Sequence, residues 1–354
     1  MLIALFLVLS CQQENKQDAT VYLNKTETVI PIDSLLTNID LIYLDEPDGM
    51  MLGVVNKIMK QDSTYYLLDS NKSKAIYAYN SNGNYISRFY SLGGGPREYF
   101  LILDFDVDYT NDEIALLCSP SKIIFTDLQL SFKREVPLGN NYYERISITK
   151  DDIFVFSYSG EVVERYNRGG ELLNKTIVKN NLSKGNVFFP QDVFYKISDK
   201  HFMQSPGDDI IYIERDGIWV KYRSIDYDNK VSSEKLYSQK KEEDITFKEK
   251  LSNPVPYIKS IFEYKQETYI LYLYGVLHYL NDSSDNFFFS ELPGVASLNY
   301  DNGHFYTWEY LSNFNLGDPI LINKLQNIKI DTFGRRQENE LEDGILIIDY
   351  LLKS

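Results

Sequence analysis

Hydrophobic positions in this chain come in short runs rich in tyrosine, phenylalanine and β-branched residues, bounded by Asn, Asp, Ser and Gly. Tyr65–Leu68, Ala75–Tyr79, Tyr85–Phe89, Ile114–Leu117, Ile123–Phe125, Ile153–Phe156 and Ile210–Ile213 have the length and composition of strands. Little of the chain repeats with a helical period. Asn82-Gly83 separates two of the runs, and Gly169-Gly170, Asp216-Gly217 and Asn302-Gly303 hold similar places. Such pairs supply the positive φ that tight hairpin turns require. The predicted local unit is therefore an antiparallel hairpin. Residues 226–262 break the rhythm, with Lys240-Lys241-Glu242-Glu243-Asp244 and Lys248-Glu249-Lys250, and read as a charged insertion on one face, a solvated connector or a cover.

The hairpins repeat weakly. Ser73-Lys74-Ala75-Ile76-Tyr77 resembles Ser121-Lys122-Ile123-Ile124-Phe125, 48 residues later, and Tyr79–Ile86 resembles Tyr166–Leu173, 87 residues later. Repeats of roughly 40–50 residues with several strands each are the mark of propeller blades. The length after the leader divides into about 55 residues for six blades or about 47 for seven, both reasonable for four-stranded blades. Four segments carry a family resemblance: Leu52–Ile58, Tyr65–Asp69, Ile76–Gly83 and Gly93-Gly94-Gly95-Pro96-Arg97-Glu98-Tyr99. Together they resemble the opening blade of the six-bladed β-propeller lipoproteins of bacterial envelopes, a family of unassigned role, and are similar to NHL-type propellers. Arg97 stands where that family usually has a third glycine. The resemblance implies an all-β, six-bladed propeller over residues 26–354, seven blades being the alternative. The C-terminal strand Ile345–Leu352 is expected to pair with sequence-early strands and close the ring.

Residues 1–10, MLIALFLVLS, are apolar up to Ser10 and too short to span a bilayer. They read as a lipoprotein signal peptide. Val8-Leu9-Ser10-Cys11 looks like a bacterial lipobox, which implies acylation of Cys11 and a membrane as partner. No Lys or Arg precedes the run, a departure from that signal. Polar residues follow at once, so 11–25 is expected to be a flexible tether. The implied address is a bacterial outer membrane, on its periplasmic or its outer side. Cys118, inside Ile114–Cys118, is expected to be a buried, inert thiol.

Charge and composition narrow the function classes. Among 354 residues, 36 Lys and Arg face 51 Asp and Glu, a net charge of −15, which argues against nucleic acid as a partner. Two cysteines exclude a disulfide framework. The densest motif is Gly93–Tyr99. It reads first as a tight crossing between blades and second as a ligand loop at a channel mouth, formed by Gly94, Gly95, Arg97, Glu98 and Tyr99. It lacks the Lys-Ser/Thr ending of a phosphate loop. Asp104, Asp106 and Asp108 alternate along one strand face. Tyr109 stands where a calcium loop needs glycine, so they read as a polar face running into a turn. His201, His278 and His304 share no metal-ligand spacing. There is no nucleophile elbow and no basis for selecting a carboxylate pair. The aromatic clusters Phe188-Phe189, Phe287-Phe288-Phe289 and Tyr306-Trp308-Tyr310 read as core, with some rings left for a sugar or a peptide. No metal, cofactor or catalytic residue is predicted. The expected function is a non-enzymatic ligand-binding or scaffold lipoprotein whose partner is a glycan, a peptide or an envelope protein. The alternative is a carbohydrate- or peptide-active enzyme with its site at the channel mouth.

Overall fold

The computed structural model describes residues 20–23, 29–30, 36–45, 52–178, 192–197, 200–205, 210–227, 258–264, 267–272, 277–280, 288–289, 299–301, 304–310, 329–333 and 344–352. Every regular element among them is a strand. Three come first: β1 (Thr20–Leu23), β2 (Val29–Ile30) and β3 (Leu36–Tyr43). Four sets of four follow in chain order. They are β4 (Lys57–Gln61), β5 (Thr64–Asp69), β6 (Ala75–Asn80) and β7 (Tyr85–Phe89), then β8 (Leu101–Asp108), β9 (Glu113–Ser119), β10 (Lys122–Asp127) and β11 (Phe132–Pro137). Next come β12 (Arg145–Ile148), β13 (Asp152–Ser157), β14 (Val162–Asn167) and β15 (Leu172–Ile177), then β16 (Phe194–Ile197), β17 (Lys200–Met203), β18 (Ile210–Arg215) and β19 (Ile218–Tyr227). The fifth set is β20 (Ile258–Tyr264), β21 (Glu267–Tyr272), β22 (Leu277–Leu280) and β23 (Phe288–Phe289). The last strands are β24 (Asn299–Asp301), β25 (His304–Tyr310), β26 (Lys329–Phe333) and β27 (Ile345–Leu352).

These strands form six sheets, each built on four antiparallel strands in up-and-down order. The architecture is an all-β propeller. The first strands of the sheets lie innermost, and each touches the next around the axis, β24 meeting β4. The sixth sheet runs β24-β25-β27-β3-β26, so its antiparallel fourth strand comes from the other end of the chain. Ile347 pairs with Ile42 and Asp349 with Asp40, the closure expected of the C-terminal strand. Three sheets also gain a fifth strand in parallel, β1 beside β19, β2 beside β23 and β26 beside β3. The expected tether thus ends early, because Thr20–Leu23 is a strand. An outer sheet edge offers unpaired N–H and C=O groups, and the β-prone run Thr-Val-Tyr-Leu meets one.

The apolar runs are legible because the middle strands are buried on both faces. In β9, Ile114, Leu116 and Cys118 face the core shared with the preceding sheet, while Ala115 and Leu117 face the core shared with the following one. Tyr66 and Leu68 of β5 divide in the same way from Tyr65 and Leu67. Five such cores between consecutive sheets fall on described side chains. Each wholly buried Leu, Ile or Phe contributes about 1.5–3 kcal/mol. Outer strands alternate instead, as Phe132–Pro137 does. Tyr306, Trp308 and Tyr310 join the core, as composition suggested. Cys118 is buried, with its thiol pushed up by burial and its Sγ 3.4 Å from the Leu116 carbonyl. Residues 1–19, most of the 226–262 insertion, Phe188-Phe189, Phe287 and the side chains of His278, Phe288 and Phe289 lie outside the described residues.

The Asn82-Gly83 turn also joins two sheets. Gly83 has φ +80°, and its carbonyl accepts from the Asp45 amide at 2.8 Å. A methyl group at this position would run into the Tyr43 carbonyl. Gly83→Ala should therefore cost about 1–3 kcal/mol through backbone strain and displacement. Urea denaturation measures it, and an unchanged midpoint would show that the turn is not held there.

Candidate functional site

Antiparallel order gives the ring two unlike ends. One carries the crossings from an outermost strand to the next innermost strand, and the other carries the tight turns that follow the innermost strands. Gly93–Tyr99 is the crossing from β7 to β8. The Glu98 carboxylate turns back into its own loop and accepts from the Gly95 amide at 2.8 Å. The Tyr99 ring is wholly buried, and its hydroxyl donates to the Lys74 carbonyl at 2.7 Å. Gly94 lies against Phe100. The Arg97 amide donates to Glu135 at 2.9 Å, and its guanidinium lies 4.6 Å from the centre of the Phe132 ring. Glu135 and Phe132 belong to β11, an outermost strand. The loop is thus the tight crossing of its first reading, held against the outermost strand of the following sheet, and these contacts do not place it at a channel mouth. Its residues are occupied in holding the crossing.

The charges at the axis come from the innermost strands. Lys57, at the start of β4, donates to Asp104 at 2.9 Å and stands 3.8 Å from Asp192. Burial opposes the Lys57 charge, but Asp104, Asp192 and Asp106 outweigh it and hold the ammonium above its ordinary range. The second Asp104 oxygen accepts from the Ile146 amide at 2.9 Å. Two residues further along β8, Asp106 accepts from the Ile148 amide at 2.7 Å, the Ser147 hydroxyl at 3.1 Å and Lys196 at 2.5 Å. These two aspartates are rungs between the innermost strands of neighbouring sheets, in place of a backbone ladder. Asp108, at the far end of β8, caps the turn by accepting from the Thr110 and Asn111 amides and pairs with Arg168 at 2.8 Å. The alternating aspartates therefore form the polar face expected of them.

At the crossing end, Arg145 lies near Tyr158, Asp104 and Asp192 and donates to the Glu144 carbonyl at 2.8 Å. Tyr142, half exposed, sits near Glu144 and Arg145. The Tyr158 hydroxyl is buried and has no hydrogen-bond partner among the described residues. Burial pushes its pKa to about 12. Here, two cations, three carboxylates and two tyrosines gather at the crossing end of the innermost strands. A model of a domain of unknown function, DUF4934, matches residues 18–318, most of the chain. The chain belongs to the DUF4934 family.

No curated protein matches this DUF4934 sequence. Among solved structures, it is similar to a protein from Bacteroides fragilis described as a candidate exported protein. Identity is 16%, TM-score 0.65, and the match covers 95% of this chain and all of that one. It is also similar to a catalytically inactive virginiamycin B lyase from Staphylococcus aureus, solved with quinupristin. That identity is 14%, with TM-score 0.50 and coverage of 88% of this chain and 99% of the other. At such identities the likeness shows the fold.

The DUF4934 propeller has a second polar cluster near its turn end. Asp349 of β27 accepts from Tyr65 at 2.7 Å and Lys60 at 3.2 Å, and its other oxygen lies 2.8 Å from His304 Nδ1. Burial, then Asp349 and Asp331, raise the Asp40 carboxyl nearby. His201 lies in a different sheet, ringed by Phe154, Phe194 and Trp219, with Nε2 2.8 Å from the Ser147 hydroxyl. Burial, reinforced by Lys196, lowers its pKa to about 3, so the imidazole is neutral. Among the described residues, no three His, Cys, Asp or Glu side chains gather as metal ligands. Sequence reasoning missed Lys57, Arg145, Lys196 and Asp192. The available signal was a basic residue in several of the short segments that follow a crossing, Lys57, Arg145 and Lys196 among them, in an otherwise acidic chain.

Proposed function

We propose that this chain is a lipid-anchored lipoprotein of a bacterial outer membrane, and that it acts as a non-enzymatic, six-bladed ligand-binding propeller. Six sheets whose innermost strands touch in succession support the blade count. The lipobox at Cys11 supports the anchor, and the likeness to a protein described as exported is in keeping with that address. The observation that carries the binding role is the charged mouth. Lys57, Asp104 and Arg145 are held at the crossing end of the axis beside a half-exposed Tyr142. Buried, paired charges beside an aromatic surface suit a polar ligand held in a fixed orientation. The address is tested by mass spectrometry of the mature protein. An acylated Cys11 at the N-terminus is expected, and retention of residues 1–10 without acyl chains defeats it. Binding is tested by probing immobilised oligosaccharides and short peptides with purified protein. Lys57→Met should abolish capture and Arg97→Ala should preserve it. Capture that survives Lys57→Met would place the site elsewhere.

A further inference from the structure

Resting on that reading, we infer that the ligand at the crossing-end mouth is an uncharged saccharide, one sugar ring lying on Tyr142 and its hydroxyls bridging the Lys57–Asp104 pair and the Tyr158 hydroxyl. Charge decides first. An anionic ligand would approach Lys57 and Arg145 but also meet Asp104, Asp192 and Glu144. A cationic ligand would meet the reverse. With three carboxylates against two cations an anion would add to the excess, and a cation would have to compete with Lys57 for the Asp104 and Asp192 carboxylates it already holds. A neutral hydroxyl avoids this, because it both donates and accepts. Adjacent hydroxyls on a sugar can donate to the Asp104 carboxylate and accept from the Lys57 ammonium, which stand 2.9 Å apart.

The Tyr158 hydroxyl is the second, independent observation. Buried polar groups are nearly always paired, and an unpaired one costs about 1–3 kcal/mol. Tyr158 lies next to Arg145, Glu144 and Asp192, so its hydroxyl belongs to the same mouth. A ligand oxygen would satisfy it. Tyr142 supplies the remaining element, an aromatic ring 50% exposed beside hydrogen-bonding side chains. Tyrosine combines an apolar face for the C–H side of a sugar with a polar tip.

The test is titration calorimetry of the purified protein with neutral tetrasaccharides of glucose, mannose and xylose. Tetragalacturonate and tetra-alanine serve as the charged-sugar and peptide arms. At least one neutral sugar should bind, and Tyr142→Ala and Tyr158→Phe should each weaken it about tenfold, the worth of one good contact. Tyr158→Phe removes only an oxygen with no described partner, so its melting temperature should be no lower than that of the unaltered protein. Binding of only tetragalacturonate or only the peptide, abolished by Lys57→Met, overturns the saccharide and keeps the ligand-binding mouth. A neutral sugar that binds Tyr158→Phe as tightly as the parent also overturns it. No binding in any arm overturns both.

Discussion

A chain truncated after Gly344 should show no cooperative unfolding transition. The lost strand, β27, is not an appendage, because it lies between β25 and β3 and pairs with both. Ile345, Leu346, Ile347 and Tyr350 are at most 1% exposed. At about 1.5–3 kcal/mol for each buried apolar side chain, removing them takes away as much as the whole net stability of an ordinary domain, about 5–15 kcal/mol. Two further costs point the same way. Lys60, Tyr65 and His304 lose Asp349. β25 and β3 are left with facing, unpaired edges, which promote association between chains. Differential scanning calorimetry should find no endotherm in the truncated protein. Removing residues 1–35 instead keeps the β27–β3 pair and should leave a cooperative transition. Ile347→Ala gives a graded version, with an expected cost of about 2–5 kcal/mol. A truncated chain that melts like the parent would mean that the ring does not depend on this strand.

The middle strands were legible because both their faces are buried. Ile114–Leu117 and Ile153–Phe156 are continuous apolar runs with no alternation to decipher. The turns were legible because Asn82-Gly83 has few conformational alternatives. Even the faint repeats were true equivalences. Ser73 and Ser121 precede the third strands of adjacent sheets, and Tyr79 and Tyr166 end third strands two sheets apart. The innermost strands were hidden for a physical reason. A strand beside a polar axis carries charges where a core strand carries apolar groups, so Lys57–Gln61 and Arg145–Ile148 have little hydrophobic signature. That same property makes them the candidate site. β1 and β2 escaped notice because they pair in parallel with strands some two hundred residues or more away, and nothing local announces such a pairing. Gly93–Tyr99 was legible as a crossing, and it suggested a ligand loop as well for the opposite reason. Its composition is conspicuous because the crossing is tight, and the tightness turns Glu98 and Tyr99 inward.

Asp106→Ala should be the most damaging single substitution at the axis, costing about 3–5 kcal/mol. It would leave the Lys196 ammonium without its 2.5 Å partner and the Ile148 amide and Ser147 hydroxyl without their acceptor. Removing one member of a buried pair is expensive because the other stays behind, charged and desolvated. Asp106→Asn retains an oxygen for the Ile148 amide and should cost less, so the difference between the two variants isolates the acceptor from the charge. The charge has its own signature in pH. Burial alone would raise the Asp106 carboxyl, but Lys196 and then Lys57 outweigh it and hold it below the usual carboxylate range. A group whose pKa is lowered by folding stabilises fully above its unfolded value, near 4, and loses that contribution as pH falls through its folded value. The stability gap between the parent and Asp106→Asn should therefore be flat from pH 7 to about 4 and narrow below it. Urea denaturation at pH 7, 5, 4 and 3 measures the gap. A gap as wide at pH 3 as at pH 7, or an Asp106→Ala cost under about 1 kcal/mol, would show that the aspartate is not a structural rung between the innermost strands.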